Sequence, residues 1–368
     1  MNIVCYINKI NGGGAERVMS VLANELSQRG HHVHLITDYT ANNEYEILPE
    51  VVRSSMEGKF KKAERGNVVL RTIRRISKLR KICINEKADI LISFMKEASY
   101  KAIVATTFLR TKNMISVRID PASAYHTKLQ AFVANLFYSK ADACVFQTEQ
   151  ALKWYPQKIQ RHARVIINPI DDRFYSYGRS RISRKEIVSC GRLSKQKRFD
   201  LLIEAFASVL PEHPDFHLTI YGEGEQRDAL ETIVKKYGII SSVTLPGRSS
   251  NIGEDIHDAY AFVLSSDYEG LPNGMMEAMA MGLPIIATDC KGGGARALIV
   301  NKANGLLIPI NDRQAMAKAL RELMSREDYC IFLGKKARET ADSFKTEVVV
   351  SKWEQFIHDT VYQDEGRE

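Results

Sequence analysis

The residues best suited to chemistry lie in one short stretch that runs from Asp267 to Asp289. It holds two carboxylates, Glu269 and Glu277, on either side of the turn Gly270-Leu-Pro-Asn-Gly274. The turn follows an apolar run and precedes a helical pattern, so its backbone N–H groups lack intrahelical partners and point out of a helix N-terminus. Such a terminus binds anions, and acids beside it accept hydrogen bonds from hydroxyl groups. The stretch therefore predicts a site for a sugar joined to a phosphate.

Cationic side chains that suit such a ligand follow an earlier strand. Arg192 and Lys197 stand in Gly191-Arg-Leu-Ser-Lys-Gln-Lys-Arg-Phe199, after an apolar strand and before a helix. A guanidinium binds two phosphate oxygens in a fork, whereas an ammonium acts as a point charge. Because the carboxyl ends of parallel strands share one sheet edge, we expect both cations to lie near Glu269. Alone, the segment would be interpreted as a solvated basic loop.

Two glycine runs also follow predicted strands. Gly12-Gly-Gly-Ala-Glu-Arg17 opens a helix, but Arg17 replaces the third glycine of a dinucleotide fingerprint. We interpret Gly13 and Gly14 as a loop that lets the backbone approach a phosphate or an acceptor, with a tight turn that binds nothing as the alternative. Gly292-Gly-Gly294 either frees N–H groups for an oxygen-rich ligand or is a flexible connection.

Other chemistries have less support in the sequence. The nine histidines form no HExxH, and there is no G-x-S-x-G elbow and no Asp-x-Asp at a strand end. The six cysteines are scattered singly, as is typical of buried thiols in a reducing compartment. There is no apolar run of about 20 residues, and the chain starts directly with a strand rather than a secretory signal. We therefore expect no metal, no cofactor, no spanning helix and a cytoplasmic protein.

The charge of the chain is uneven. The net charge is +8, yet residues 1–168 hold 26 Lys and Arg against 14 Asp and Glu. Ten basic residues against one acid, Glu64, lie in one segment: Lys59, Lys61, Lys62, Arg65, Arg71, Arg74, Arg75, Lys78, Arg80 and Lys81. Apolar residues recur there at spacings of three and four, which predicts an amphipathic helix: Val69, Ile73, Ile76, Leu79 and Cys83. Its basic face is either solvated or held against anionic lipid or lipid diphosphate; nucleic acid is disfavoured because no aromatic platform accompanies the charge.

The elements that must position these residues alternate between strands and helices. Strands are predicted at 2–7, 33–38, 90–94, 114–117 and 143–147, and again at 186–190, 216–221, 243–246, 261–266, 284–288 and 305–309. Such alternation indicates parallel sheets with crossover helices. We predict an α/β protein of two Rossmann-like, doubly wound domains, 1–168 and 169–345, which face a central cleft. A helix within 346–368 is expected to pack back towards the first domain.

Together these motifs resemble those of the family-four retaining glycosyltransferases, which have the GT-B fold of two facing Rossmann-like domains. The resemblance covers nearly the whole chain, and its most specific part is Glu269-x7-Glu277 within Glu-Gly-Leu-Pro-Asn-Gly. It implies that Glu269 contacts the hydroxyls of the donor sugar and that Glu277 binds the ribose. It also implies that Arg192 and Lys197 hold the diphosphate in place of a metal. The remaining donor-binding residues would be Gly13, Gly14, Gly270, Leu271, Pro272 and Asn273.

One segment departs from the commonest family pattern. Many members carry a His in the first domain after the strand that corresponds to 114–117, whereas this chain has Val117-Arg-Ile-Asp-Pro121. That sequence resembles the branch of lipid-linked oligosaccharide transferases. We therefore assign no catalytic His, and we mark Arg118 and Asp120 as acceptor-side residues. Arg71, Arg74, Arg75 and Lys78 are the expected contacts with an anionic membrane.

The resemblance implies transfer of a hexose or N-acetylhexosamine from a nucleotide sugar, with UDP as the expected nucleotide. The expected acceptor is a polyprenyl-diphosphate-linked glycan at the cytoplasmic membrane face, in the synthesis of a bacterial capsule, O-antigen or exopolysaccharide. Alternatives remain open: a transferase of the same fold that acts on a soluble acceptor, or a non-catalytic protein that binds sugar nucleotides or nucleic acid. A dehydrogenase is the least favoured, because the glycine fingerprint is broken.

Overall fold

The computed structural model of the protein describes residues 1–57, 68–177 and 184–362. The chain divides into two compact units, one formed by Met1–Pro169 and Thr346–Glu368 and the other by Ile170–Lys345. We call them unit 1 and unit 2. Part of the predicted basic helix, with Lys59, Lys61, Lys62, Glu64 and Arg65, lies outside the described residues.

Unit 1 is built on a parallel sheet. Its strands are β1 (Asn2–Ile7), β2 (His32–Thr37), β3 (Val52–Ser55), β4 (Ile90–Phe94), β5 (Lys112–Val117), β6 (Ala143–Phe146) and β7 (Ala163–Val165). They lie in the order β3-β2-β1-β4-β5-β6-β7, and neighbouring strands are parallel. The edge strands β3 and β7 were not predicted, because Val-Arg-Ser-Ser and Ala-Arg-Val are too short and polar to show a buried-strand pattern.

Helices cover both faces of this sheet. They are α1 (Gly14–Gln28), α2 (Val68–Asn85), α3 (Lys96–Thr106), α4 (Pro121–Ala124), α5 (Lys128–Tyr138), α6 (Glu149–Lys153), α7 (Gln157–Gln160) and α16 (Thr346–Tyr362). Strand side chains alternate between the faces: Cys5 packs in one core with α1 and α16, whereas Val4 packs with α2 and α3. At the other end of the second face, Ile115 packs with α5 and with Ile103 of α3.

The amphipathic pattern predicted for α2 is correct in only part of the helix. Leu79 and Cys83 are buried and Ile76 packs beside them, but Val69 is 64% exposed and Ile73 is 55% exposed. The first turns of the helix therefore present their apolar residues outward. Spacing shows which residues share a helix face, but it does not show how far along the helix the sheet extends.

A buried ion cluster connects α2 and α3 to the sheet. The carboxylate of Asp38, 1% exposed, accepts hydrogen bonds from Tyr6 Oη at 2.5 Å, Arg75 at 2.7 Å and Lys101 Nζ at 2.6 Å. Arg75 Nε also donates to Glu57 at 2.7 Å. Burial lowers the pKa of Lys101, and the charge of Asp38 opposes that shift. The cluster holds two cations and two carboxylates, so its net charge is zero.

Unit 2 repeats the architecture. Its strands are β8 (Glu186–Cys190), β9 (His217–Tyr221), β10 (Val243–Gly247), β11 (Ala261–Leu264), β12 (Ile285–Thr288) and β13 (Leu306–Ile308), in the order β10-β9-β8-β11-β12-β13. Its helices are α8 (Arg173–Ser176), α9 (Phe199–Val209), α10 (Arg227–Lys236), α11 (Ile252–Ile256), α12 (Asn273–Ala280), α13 (Gly294–Leu298), α14 (Arg313–Ser325) and α15 (Glu327–Ala341). The prediction of two Rossmann-like parallel sheets is confirmed. None of the helices in the described ranges has the length and apolarity needed to cross a membrane.

We predict that Asp38→Ala destabilises unit 1 by about 3–5 kcal/mol, because the buried Lys101 loses the carboxylate with which it pairs and Arg75 loses one of its two. Both tryptophans of the chain, Trp154 and Trp353, belong to unit 1. Tryptophan fluorescence during urea unfolding therefore follows this unit. The control is Asp359→Ala, which removes an ion pair with an Arg164 side chain that is 43% exposed and should cost at most about 1 kcal/mol. Equal urea midpoints for the two variants would contradict the prediction.

Candidate active site

The site lies where the strand order of unit 2 reverses. β8 lies between β9 and β11. After β8 the chain adds β9 and β10 on one side of it, and then crosses over to add β11, β12 and β13 on the other side. Ligands of doubly wound sheets bind at the carboxyl ends of the strands beside such a point. Gly191 and Arg192 follow β8 directly, and Ser265 and Ser266 follow β11. The two segments that carry the predicted cations and Glu269 therefore share one sheet edge.

An ion pair joins these two segments. Lys197 ends the short 3-10 helix Lys195–Lys197, and its Nζ lies 2.6 Å from Oε1 of Glu269. The same oxygen accepts a hydrogen bond from Ser266 Oγ at 2.9 Å. The side chains are 19% and 13% exposed, so both charges are partly removed from water and attract each other more strongly than surface charges do. The sequence predicted their proximity but not that they pair with each other.

Hydrogen bonds to backbone carbonyls hold together the two loops that carry Lys197 and Glu269. Ser265 Oγ donates to the carbonyl of Lys197 at 2.6 Å, and the amide of Asp267 donates to the carbonyl of Gln196 at 2.9 Å. The side-chain amide of Gln196 donates to the carbonyl of Tyr268 at 2.7 Å. Sequence reasoning missed Ser265 and Ser266, although two serines at the end of an apolar strand are a recognisable signal for such contacts.

The loop after β12 supports the Glu269 turn from the other side. The amide of Glu269 donates to the carbonyl of Lys291 at 2.9 Å, and the amide of Lys291 donates to the carbonyl of Asp267 at 3.1 Å. A Cβ at Gly294 would overlap the carbonyl oxygen of Gly270. Glycine is therefore needed at 294 because α13 begins in direct contact with the backbone of the turn. This role differs from the two that the glycine run suggested.

The N-terminus of α12 supplies backbone donors beside the ion pair. The helix begins at Asn273, after Pro272 as its N-cap. Within the described parts of the chain, the N–H groups of Gly270, Leu271 and Gly274 donate no hydrogen bond. These groups, with the positive end of the helix dipole, are available to an anion.

Packing against β8 explains the position of this helix. A Cβ at Gly274 would lie 2.7 Å from Sγ of Cys190, so α12 starts directly on the last residue of the strand. Glu277, one turn further on, is 6% exposed. Burial raises the pKa of Cys190 to about 12, and the negative charge of Glu277 adds to the shift. Burial, followed by the charge of Glu269, likewise raises the pKa of Cys290 to about 12. Both thiols therefore stay protonated near neutral pH and neither is an activated nucleophile.

Arg192 differs from Lys197 in having no acidic partner. Its side chain is exposed, and it forms no ion pair or side-chain hydrogen bond with the residues that the structure describes. Its full charge is available to a ligand at the end of β8.

The predicted residues of unit 1 lie at the carboxyl ends of its own strands. Gly13 is the N-cap of α1 and Gly14 is its first residue, and Glu16 folds back against Gly13. Gly12 has φ +73°, which requires a residue that tolerates the left-handed region. Met95, which follows β4, has φ +75° although it is not a glycine. Backbone strain of this kind is found at functional sites.

Arg118 is a partly buried cation that contacts polar and aromatic groups. Its guanidinium lies 4.0 Å from the centroid of the Phe94 ring, donates to Asn168 at 2.5 Å and donates to Ser116 at 3.0 Å. One terminal nitrogen is buried and has no hydrogen-bond partner among the described residues. Burial lowers the pKa of Arg118 to about 9, so the group stays charged at neutral pH. Asp120, the second predicted acceptor-side residue, is 5% exposed.

The four cations predicted to contact a membrane differ in their exposure and in their partners. Arg75 is held in the Asp38 cluster with only 15% of its side chain exposed, contrary to the prediction, because α2 packs that face against the sheet. Lys78 is exposed but donates to the carbonyls of Ser55 and Met56. Arg71 and Arg74 form no ion pair with any described residue.

The described residues contain no group of three or more His, Cys, Asp and Glu side chains arranged to hold a metal ion.

Comparison with known proteins identifies the family. Residues 12–174 match the model of Glycosyltransferase Family 4, and residues 179–340 match that of Glycosyl transferases group 1. The chain belongs to the family-4 glycosyltransferases. The site described above lies within the second match.

Two relatives of this family-4 glycosyltransferase differ in how much of their own length the match covers. A Campylobacter jejuni protein is 27% identical over 97% of this chain and 98% of its own. It is named as an α-1,4-N-acetyl-D-galactosaminyltransferase acting on an undecaprenol-diphosphate-linked GalNAc glycan. An exopolysaccharide phosphotransferase of Streptomyces coelicolor is 35% identical over 60% of this chain, which corresponds to only 24% of that protein.

A solved structure shows the same GT-B fold. The Anabaena protein HepE, crystallised with UDP, superposes with a TM-score of 0.81 over 98% of this chain and 100% of its own at 16% identity. At that identity the likeness concerns the fold of this glycosyltransferase and not its ligand.

We predict that Gly294→Ala loosens the Glu269 turn, because the new methyl group displaces the carbonyl of Gly270. Hydrogen–deuterium exchange should become at least about tenfold faster in the peptide that contains Glu269 and Gly274. The control is Gly238→Ala, where φ is +68° but no atom lies within 4 Å of the new Cβ. It should lower stability by about 1 kcal/mol and leave exchange in that peptide unchanged. Unchanged exchange in Gly294→Ala would show that the close approach is dispensable.

Proposed function

We propose that this glycosyltransferase moves a hexose or N-acetylhexosamine from a UDP-sugar to a polyprenyl-diphosphate-linked glycan, with retention of anomeric configuration, in bacterial surface polysaccharide synthesis. The observation that carries the proposal is the Lys197–Glu269 ion pair at the switch point, beside the free N–H groups of α12. It places a cation for phosphate and a carboxylate for sugar hydroxyls within one hydrogen-bond length of each other.

Cleavage of the glycosyl–phosphate bond transfers negative charge to the departing nucleoside diphosphate. Positive groups held in place before the reaction stabilise that charge most effectively. Arg192 is free to bind two phosphate oxygens in a fork, and Lys197 adds a second positive charge. The N–H groups of Gly270 and Leu271 bind the same ligand without any positive side chain. These groups perform the task that a divalent cation performs elsewhere, so we propose a metal-independent reaction.

The two carboxylates have separate tasks in this proposal. Glu269 accepts hydrogen bonds from hydroxyls of the transferred sugar, and Ser266 and Lys197 hold it in position. Glu277, buried one turn inside α12, accepts the ribose hydroxyls. Pro272 and Asn273 complete the proposed donor contacts of unit 2. When Glu269 turns to the sugar, Lys197 shares its charge with the diphosphate and adds to the positive charge that Arg192 already supplies.

Retention without a protein nucleophile fits the chemistry of the site. Cys190 and Cys290 stay protonated, and Glu269 is already bound by an ammonium and a hydroxyl. We infer that the acceptor hydroxyl attacks on the face from which the diphosphate leaves. The departing phosphate oxygen then takes the proton of the acceptor, which balances the step.

The acceptor and the location are inferred from relatives and from charge. The Campylobacter jejuni relative is named for an undecaprenol-diphosphate-linked acceptor, and other relatives are named for amylovoran and lipopolysaccharide core synthesis. Arg118 supplies a partly buried positive charge at the carboxyl end of β5, and the buried Asp120 follows it in the chain. We infer that both bind the acceptor, and that the protein works at the inner surface of the cytoplasmic membrane.

We predict that Glu269→Gln lowers transfer from a UDP-sugar by at least about 100-fold, because the loss of charge weakens the bonds to the sugar hydroxyls and leaves Lys197 without a counterion. The assay measures the rate at which labelled sugar is transferred from each of a panel of UDP-sugars to a short-chain polyprenyl-diphosphate glycan. The control is Glu212→Gln, which removes an equivalent charge from an exposed pair with Arg321. Transfer by Glu269→Gln at the rate of the control would refute the proposed site.

Arg118→Met separates an acceptor role from a structural one. Methionine loses the hydrogen bonds to Asn168 and Ser116, but it also removes the cost of keeping a charge partly out of water. The two effects oppose each other, so we expect the free energy of unfolding to change by less than about 1 kcal/mol. Transfer should fall at least about tenfold through a higher KM for the acceptor, with the KM for the donor unchanged. The control is Arg164→Met, which removes another arginine that stacks on an aromatic ring, Phe356. An unchanged acceptor KM would exclude Arg118 from the acceptor site.

A further inference from the structure

We propose that the outer surface of the helix layer α2–α3–α5 in unit 1 inserts into an anionic lipid bilayer, with Leu129, Phe132 and Leu136 of α5 as the inserted side chains. The inference rests on the proposed function only for its purpose, since a lipid-linked acceptor requires the enzyme at a membrane. The surface itself follows from exposure and charge.

The three helices form one layer. Residues of α2 and α3 pack in the core that contains Val4 and Leu91, and residues of α3 and α5 pack in the core that contains Ile115. Tyr100 of α3 touches the ring of Phe137 of α5, with centroids 4.6 Å apart. The other face of the sheet is covered by α1 and α16. The outward sides of α2, α3 and α5 are therefore neighbouring parts of one surface.

Helix α5 is apolar on two sides. Ala134 and Tyr138 face the core and are fully buried. On the other side, Leu129 is 70% exposed, Phe132 is 64% exposed and Leu136 is 48% exposed. Spacings of three and four place these three side chains in one outward stripe. A stripe of large apolar side chains on an outer helix face marks a surface that another phase or molecule covers.

The neighbouring helices extend this surface. Phe108, which follows α3, is 97% exposed, and Val104 within α3 is 42% exposed. Ile73 of α2 is 55% exposed. Every helix of the layer thus contributes an exposed apolar side chain, whereas an isolated exposed residue would need no explanation.

The charge of the residues around this surface favours an anionic bilayer over a second copy of the chain as its partner. Across 68–85, 96–110 and 121–141 the described residues include one carboxylate, Glu97. Nine cations in these segments form no ion pair with any described residue: Arg71, Arg74, Lys78, Arg80, Lys81, Lys96, Arg110, Lys128 and Lys140. Cations around an apolar stripe suit a bilayer whose headgroups are anionic and whose interior is hydrocarbon. A second copy packed on the same face would set these cations against their own equivalents.

Sedimentation of the full-length protein with vesicles tests the proposal. One set of vesicles is phosphatidylcholine, and the other is phosphatidylcholine and phosphatidylglycerol in equal parts. The triple variant Leu129→Gln/Phe132→Gln/Leu136→Gln should bind the mixed vesicles about 100-fold more weakly than the wild type. The control is Ile331→Gln/Phe332→Gln in unit 2, whose side chains are 49% and 46% exposed, and it should bind like the wild type.

High salt and charge-reversal variants separate the electrostatic contribution to vesicle binding from the contribution of apolar insertion. High salt screens the charges but not the apolar insertion, so the wild type should keep part of its binding there while the triple variant keeps none. Arg71→Glu/Arg74→Glu should lose the preference for phosphatidylglycerol and keep the salt-resistant part.

Three results would overturn the inference: wild-type protein that sediments with neither vesicle, a triple variant that binds as well as the wild type, or a wild-type dimer that the triple variant dissociates. The last result would assign the face to a second copy. Transfer to a water-soluble short-chain acceptor is measured on the same proteins. Failure of the wild type in that assay refutes the proposed function, whereas a triple variant that is active there and inactive on vesicle-embedded acceptor supports the membrane surface.

Discussion

The parallel pairing of β8 with β11 is the constraint on which the chemistry of this protein depends. Ile187 lies opposite Ala261 and Val188 opposite Phe262, so the two strands end together. Residues more than 70 positions apart in sequence, Lys197 and Glu269, thereby meet at hydrogen-bond distance. β12, on the other side of β11, adds the loop that supports the Glu269 turn. Three adjacent strands in fixed register therefore define the site, and substitutions in their apolar residues act on it only through that register.

Charge is distributed differently in the two units. In unit 2, Lys197 is neutralised by Glu269 while no ligand is bound, so the fold does not bear the cost of an isolated, partly buried ammonium. In unit 1, Asp38 likewise neutralises cations, whereas among the described residues the partly buried Arg118 contacts amide, hydroxyl and aromatic groups and no carboxylate. A buried charge compensated only by dipoles is the more expensive arrangement, and a ligand that supplies a negative charge would relieve it. This difference is the physical reason for regarding Arg118 as part of a binding site rather than as a core residue.

Much of the fold could be predicted from the sequence, because buried parallel strands are short apolar runs and their carboxyl ends share an edge. Those two rules place Lys197, Arg192 and Glu269 together without any coordinates. They do not show that Lys197 and Glu269 pair, or that Gly294 touches Gly270, because both contacts depend on how separate loops pack. Composition also misled at Arg75: its charge suggested a surface role, whereas a carboxylate 37 positions earlier, Asp38, binds it inside. The outward stripe of α5 was overlooked because apolar residues at helical spacing normally face a core.

The closing helix α16 has a consequence for how the protein is made. Val349, Val350 and Trp353 belong to the same core as Ile3 and Cys5, although nearly the whole chain separates them. A ribosome therefore releases the sheet of unit 1 first, but one face of that sheet lacks part of its cover until the final helix emerges. Unit 2, whose residues are contiguous, has all of its core available earlier. Until α16 has been synthesised, unit 1 exposes apolar surface that α16 later covers, and chaperones bind surface of this kind.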